Sequence, residues 1–203
     1  MSLLPVSHFL STSVRGGLPP AQDIEDFDVK LPATKLDNER DPQSQNEDKC
    51  LVYFQLLCRL CVIKSRVYQQ LYSSNQWKIS IKDRFGRVDD LNKELEEWRE
   101  TNPFSKSESL QEVEVGDPLT RLWYIRIQLS YFHTMMMINR THAVIHGLLL
   151  AKSARKSKPP PDLSVIPTPT YQSDGVVLGA CRSSLKLLSL FPRGDIVWIW
   201  YVS

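Results

Sequence analysis

The sequence predicts an all-α protein: an irregular multi-helix bundle, a partial domain with long Pro-rich loops. Three observations carry that expectation. Leu119–Thr141 (LTRLWYIRIQLSYFHTMMMINRT) is a helical run apolar on nearly every side, the pattern of a buried central helix. In Leu91–Pro103, Leu91, Leu95 and Trp98 fall at i, i+4 and i+7, which lines one helix face with apolar groups. Thirteen prolines against eight glycines, among many Leu, Glu, Lys and Gln, favour helices joined by Pro-marked loops.

In chain order, residues 1–47 read as an irregular N-terminal segment. Gly16-Gly17, Pro19-Pro20 and Pro32 punctuate it, and Thr34–Lys49 is a polar, solvated connection. Residues 48–203 read as the helical part. A first helix is expected from Asp48, a candidate N-cap, to about Ser73. Lys64, Arg66 and Gln69 enter only in its later half, which predicts deeper burial for the first half. Trp77–Arg87 reads as a polar connector or a short extra turn. The second helix is expected to open at Asp89 or Asp90, whose carboxylates suit a helix start, and to end at Asn102 because Pro103 disfavours helical geometry there. Asp117-Pro118 opens a third helix as N-cap and first-turn proline. It runs past Arg140, with a break or kink placed before His142–Lys152. Residues 152–173 form a loop, given the Pro triplet and two further prolines. Ser173 or Asp174 caps a fourth helix, on which Val177, Cys181, Ser184, Leu185 and Leu188 share a face, and Pro192 closes it. The last apolar segment, Ile196–Val202, carries Trp198, Trp200 and Tyr201. Aromatic area of that size needs a covering partner, so the chain reads as an excerpt of a larger domain.

Composition narrows the function classes. With 25 basic and 23 acidic residues the net charge is +2, too little for a global field that would hold nucleic acid or an anionic membrane. Leu119–Ala151 is interrupted by Arg121, Arg126 and Arg140, short of the roughly 18 uncharged residues that a membrane span needs. The start lacks the charge pattern of a secretory signal, and its Ser content and Arg15 fit a mitochondrial presequence only weakly. Four scattered cysteines make no disulfide framework and point to a reducing compartment.

Five segments in order resemble the fungal-specific transcription factor domain, the middle homology region of fungal zinc binuclear cluster regulators. Ser13–Pro32 looks like its turn and Asp-rich stretch ending in Leu-Pro, with Gly17-Leu18-Pro19 where the family has Gly-Arg-Pro. Leu56–Tyr72 is similar to its helix ending in Leu-Tyr-Ser, here Leu71-Tyr72-Ser73. Leu91–Pro103 resembles its Leu-x-x-x-Leu-x-x-Trp helix ending in Pro, and Leu129–Arg140 its Leu-x-Tyr-x-His helix ending in Arg. Cys181–Trp198 is similar to the later helix-Pro-Trp element. The resemblance implies an internal fragment of a nuclear regulator of RNA polymerase II transcription. It implies contact with other regulatory segments, the transcription machinery or a small-molecule effector, and no direct nucleic-acid or membrane contact. It also implies zinc only in an N-terminal six-cysteine cluster of a parent protein, and no cofactor in this chain.

Cys58 and Cys61 form a CxxC that thiolate chemistry or zinc would use; inside an apolar helix they read as small core residues. His142 and His146 share one helical side, yet no Glu follows the first His as a zinc protease requires. Tyr131, Met135 and Met136 lie on the face where an adaptable effector pocket would form, since methionine repacks readily, with ordinary core as the plain alternative. Lys152–Lys158 (KSARKSK) suits a nuclear-import or phosphate-contacting patch, or a solvated loop. Asn139-Arg140-Thr141 matches the glycosylation triplet. No nucleophile–base pair, paired catalytic carboxylates or phosphate-cradling glycine loop is legible, so the chain reads as a non-enzyme. Two alternatives stay open: a helical interaction module with no transcriptional role, and a small helical metalloprotein using His142 and His146.

Overall fold

A computed structural model describes residues 42–74, 78–102, 118–155 and 168–189. Among them are four α-helices and no strand: α1 (Pro42–Val67), α2 (Ile81–Thr101), α3 (Pro118–Arg155) and α4 (Thr168–Leu188). The all-α expectation holds. The expected elements in 1–41 and beyond Ser189, including Pro192 and Ile196–Val202, lie outside the described residues.

Helix α1 starts six residues before Asp48. Pro42 serves as its first residue, where a missing N–H costs no hydrogen bond. Its far end passes into a π-helical turn, Tyr68–Tyr72, closed by the Ser73 amide donating to the Tyr68 carbonyl at 3.0 Å and the Ser73 hydroxyl donating to the Gln69 carbonyl at 2.8 Å. The expectation that the first half would be the more buried is corrected. Ile63, Lys64, Ser65 and Val67 are all buried, because Lys64 Nζ finds Ser130 Oγ at 2.7 Å on α3, and a buried ammonium is tolerated when hydrogen-bonded.

Helix α2 opens at Ser80, nine residues before Asp89. Ser80 Oγ accepts from the Asp83 amide at 3.1 Å and donates to the Asp83 carboxylate at 2.6 Å. This Ser-x-x-Asp cap satisfies a first-turn N–H, and Ile81–Arg87, within the stretch read as a connector or a short extra turn, is helical. The predicted stop is observed: Asn102 is extended (φ −79°, ψ 111°) before Pro103. Helix α3 runs unbroken through His142, where a kink was expected; no proline stands inside it after Pro118. Its 38 residues span about 57 Å at 1.5 Å per residue. The expected loop 152–173 is shorter than predicted at both ends, since α3 continues to Arg155 and α4 begins at Thr168. Thr168 and Pro169 fit a first turn, where proline is tolerated.

The core forms where α1, α2 and α3 meet. Tyr53, Leu56, Leu57, Leu60, Ile63 and Val67 of α1 pack against Val88, Leu91, Leu95 and Trp98 of α2 and against Ile127, Tyr131, Met137 and Ile138 of α3. Leu91, Leu95 and Trp98 thus occupy one face, as their spacing predicts. Helix α4 lies along α3 as its most extensive partner. It packs through Ser173, Ala180 and Leu187, which are buried, with Val177 and Ser184 half-buried. The face expected on α4 is divided by the structure, because Leu185 and Leu188 are exposed.

Candidate functional site

Several polar groups that could carry chemistry sit at the helix–helix seams and hold them together. Trp98 Nε1 donates to the Leu56 carbonyl at 3.1 Å in the core, and its ring stacks on Tyr131 at 6.0 Å and 17°. The Tyr131 hydroxyl donates to Glu96 Oε1 at 2.7 Å and accepts from Arg99 Nη1 at 3.3 Å. Burial first, and then the bond to Glu96, push the phenol up to about 12. It therefore stays protonated across the physiological range.

The three residues expected to form an effector pocket look toward different neighbours. Tyr131 is buried against α2, and Met135 is half-buried against the core. Met136 faces α4, where Cys181 Sγ donates to its sulfur at 3.3 Å. On a helix, residues 131 and 135 lie 40° apart, whereas 136 lies about 140° from 131. Adjacent Met137 offers its carbonyl to the Tyr72 hydroxyl at 2.5 Å. Arg140 stacks 4.9 Å over the Tyr72 ring and donates to its oxygen at 2.7 Å.

The cysteine pair lies in α1. Cys61 is buried and Cys58 half-buried, both as free thiols. Burial, and then proximity to Cys61, push Cys58 up to about 11; burial also raises Cys61. Both environments disfavour the free thiolate that nucleophilic attack requires. Cys181 lies apart from this pair, on α4, turned to Met136. Among the described residues, no group of three or more His, Cys, Asp or Glu is placed to hold a metal ion, and no helix is long and apolar enough to cross a membrane.

His142 is buried with its Nδ1 2.5 Å from Ser173 Oγ of α4 and its ring edge-on to Phe85 of α2 at 4.5 Å. One imidazole thereby ties three helices, a role that sequence spacing did not reveal because the partners lie 31 and 57 residues away. The side chain of His146 lies outside the described set. Asn139, first of the glycosylation triplet, is 3% exposed and exchanges amide hydrogen bonds with Asn92 at 3.0 and 3.3 Å, a position that no glycan can reach in the fold. The side chains of Lys152–Lys158 also lie outside the described set. The acidic residues Glu96 and Glu97 are exposed, Glu96 pairing with Arg99 and Glu97 with Lys93.

Comparison with known proteins adds a direction. Over 191 residues the chain is 28% identical to an ABC-transporter-regulating transcription factor of Aspergillus oryzae and 27% identical to one of Aspergillus fumigatus. The alignments cover 93% of this chain and 21% of each relative, so the chain spans about a fifth of the length of these curated proteins. No protein-family model matches it. No solved structure matches it either.

Proposed function

We propose that this chain is a helical, non-DNA-contacting regulatory segment of a fungal transcription regulator that works in the nucleus. The observation that carries the reading is the likeness to two fungal transcription factors along 93% of the chain. The placement of the chemically capable side chains is compatible with it. Cys61, Tyr131 and His142 are committed to packing and inter-helix hydrogen bonds, as suits a body that acts by shape and contact. The relatives' printed role extends the proposal to genes for ABC transporters as targets of RNA polymerase II regulation.

Zinc enters this proposal only through a six-cysteine cluster elsewhere in a parent protein. An effector, where one acts, would reach the region of Tyr131, Met135 and Met136 by displacing packing contacts, and partners would be other regulatory segments or the transcription machinery. The test is a reporter driven by an ABC-transporter promoter in a filamentous fungus, comparing the intact regulator with one lacking residues 42–189. Changed reporter output together with nuclear accumulation of the tagged intact protein supports the reading. Unchanged output, or exclusion of the intact protein from the nucleus, overturns it.

A further inference from the structure

Helix α4 carries two seams offset by one residue, one of small and apolar side chains and one led by leucines. Ser173, Val177, Ala180, Ser184 and Leu187 follow a 4-3-4-3 spacing and face α3. Asp174, Leu178, Cys181, Leu185 and Leu188 repeat the same spacing about 100° further round the helix; Asp174 opens this seam with a charge, and Cys181 is its half-buried inner edge, turned to Met136 of α3. In this second seam Leu178 is 55%, Leu185 67% and Leu188 47% exposed. A 4-3 repeat of apolar residues is the pattern that receives another helix through knobs-into-holes packing. Leaving three leucines on one stripe in water is unfavourable by the apolar area they present.

The flank of this seam turned away from α3 selects its occupant. Arg182 and Lys186 are exposed there, and Gly175 and Gly179 leave open space beside them, with no atom within 4 Å of where a Cβ would stand. A second copy packed antiparallel, with Leu178 against Leu188, would bring Arg182 close to its own counterpart. That like-charge approach disfavours a homodimer. A helix with a leucine seam and carboxylates along its flank meets both features, apolar stripe to apolar stripe and carboxylate to guanidinium.

We propose that the Leu178–Leu188 seam of α4 is the docking site for an amphipathic helix with acidic flanks, supplied by another region of the same regulator. This rests on the reading of the chain as part of a larger regulator, whose relatives have some four-fifths of their length outside the matched region. The face thereby joins this helical body to the rest of the polypeptide.

The test titrates two synthetic 18-residue helical peptides of identical leucine seam, one flanked by Glu and one by Lys, against the 203-residue chain by fluorescence anisotropy. The Glu peptide is expected to bind at least ten-fold tighter, Leu185→Asp to abolish its binding, and Arg182→Glu with Lys186→Glu to reverse the preference. The intact regulator is expected to refuse the Glu peptide because the seam is already filled. Equal binding of both peptides, or binding unaffected by Leu185→Asp, overturns the site. A dimer in sedimentation that Leu185→Asp dissolves assigns the seam to a second copy instead. An intact regulator that takes the peptide as readily as the 203-residue chain overturns a supply from the same polypeptide. These outcomes are read by binding alone, so a failed transcription reporter would be told apart from a failed docking site.

Discussion

Replacing Trp98 by Phe isolates the fastener between α1, α2 and α3. Trp98 is 6% exposed, its Nε1 donates to the Leu56 carbonyl at 3.1 Å, and its ring lies parallel to Tyr131. Phe keeps an aromatic ring but deletes the N–H and the outer part of the indole. Loss of a buried hydrogen bond costs about 1 kcal/mol. The void left by the missing ring atoms, in a core that relaxes only partly, adds roughly another 1 kcal/mol. Trp98→Phe should therefore destabilise by about 2 kcal/mol, and Trp98→Ala by about 3–5 kcal/mol, which includes loss of the stacked pair. Urea unfolding followed by circular dichroism at 222 nm measures both, with the slope of the transition unchanged if only stability is altered. A Phe variant within about 0.3 kcal/mol of the parent chain would refute the role given to the indole N–H and to the packing around it.

The Tyr131 phenol is raised to about 12. The unfolded chain loses that proton first, so stability present below pH 10 should decline as pH rises from about 10 toward 12. The decline should be roughly 1–2 kcal/mol, less than the full shift implies because Glu96 and Arg99 at its tip are exposed to water. Tyr131→Phe should lack this component, and parallel pH–stability curves for the two proteins would contradict it. Cys58, at about 11, should be about one part in a thousand thiolate at pH 8. Alkylation of Cys58 by iodoacetamide, located by peptide mapping, should be slow there and accelerate above pH 10; rapid labelling of Cys58 itself in the folded chain at pH 8 would refute the assignment. Asn92→Ala strips the amide partner from buried Asn139 and should cost about 1–3 kcal/mol. The Asn92→Leu, Asn139→Leu pair should cost less than the sum of the two single changes, as a double-mutant cycle would measure. Met136→Lys tests the effector region: loss of effector response with the melting temperature retained supports a ligand-facing role, and unfolding marks the position as α3–α4 packing.

The elements legible in the sequence were those with strong spacing or a proline stop. Leu91, Leu95 and Trp98 declare one face of α2, Pro103 its end, and Pro118 the start of α3. The start of α2 was missed because the Asp89-Asp90 carboxylates imitate a helix start inside the helix, while the working cap, Ser80 with Asp83, precedes a polar stretch with Gly86 in it. The depth of α1 around Lys64 was misread because its compensating partner, Ser130, stands 66 residues away. Tyr131, Met135 and Met136 stand close together in the chain, and helical geometry sends Met136 to α4 and Tyr131 to α2, a division that adjacency in the sequence cannot convey.

Helix α3 is one uninterrupted rod shared by both halves of the structure. Near Ile127–Ile138 it is gripped by α1 and α2, and near Met136–His142 by α4. A rod without a proline or glycine hinge between those grips turns or slides as a unit, since bending it would break backbone hydrogen bonds. A pull on α4 would therefore arrive at the Trp98–Tyr131 stack as rotation of a lever rather than fade along a loop.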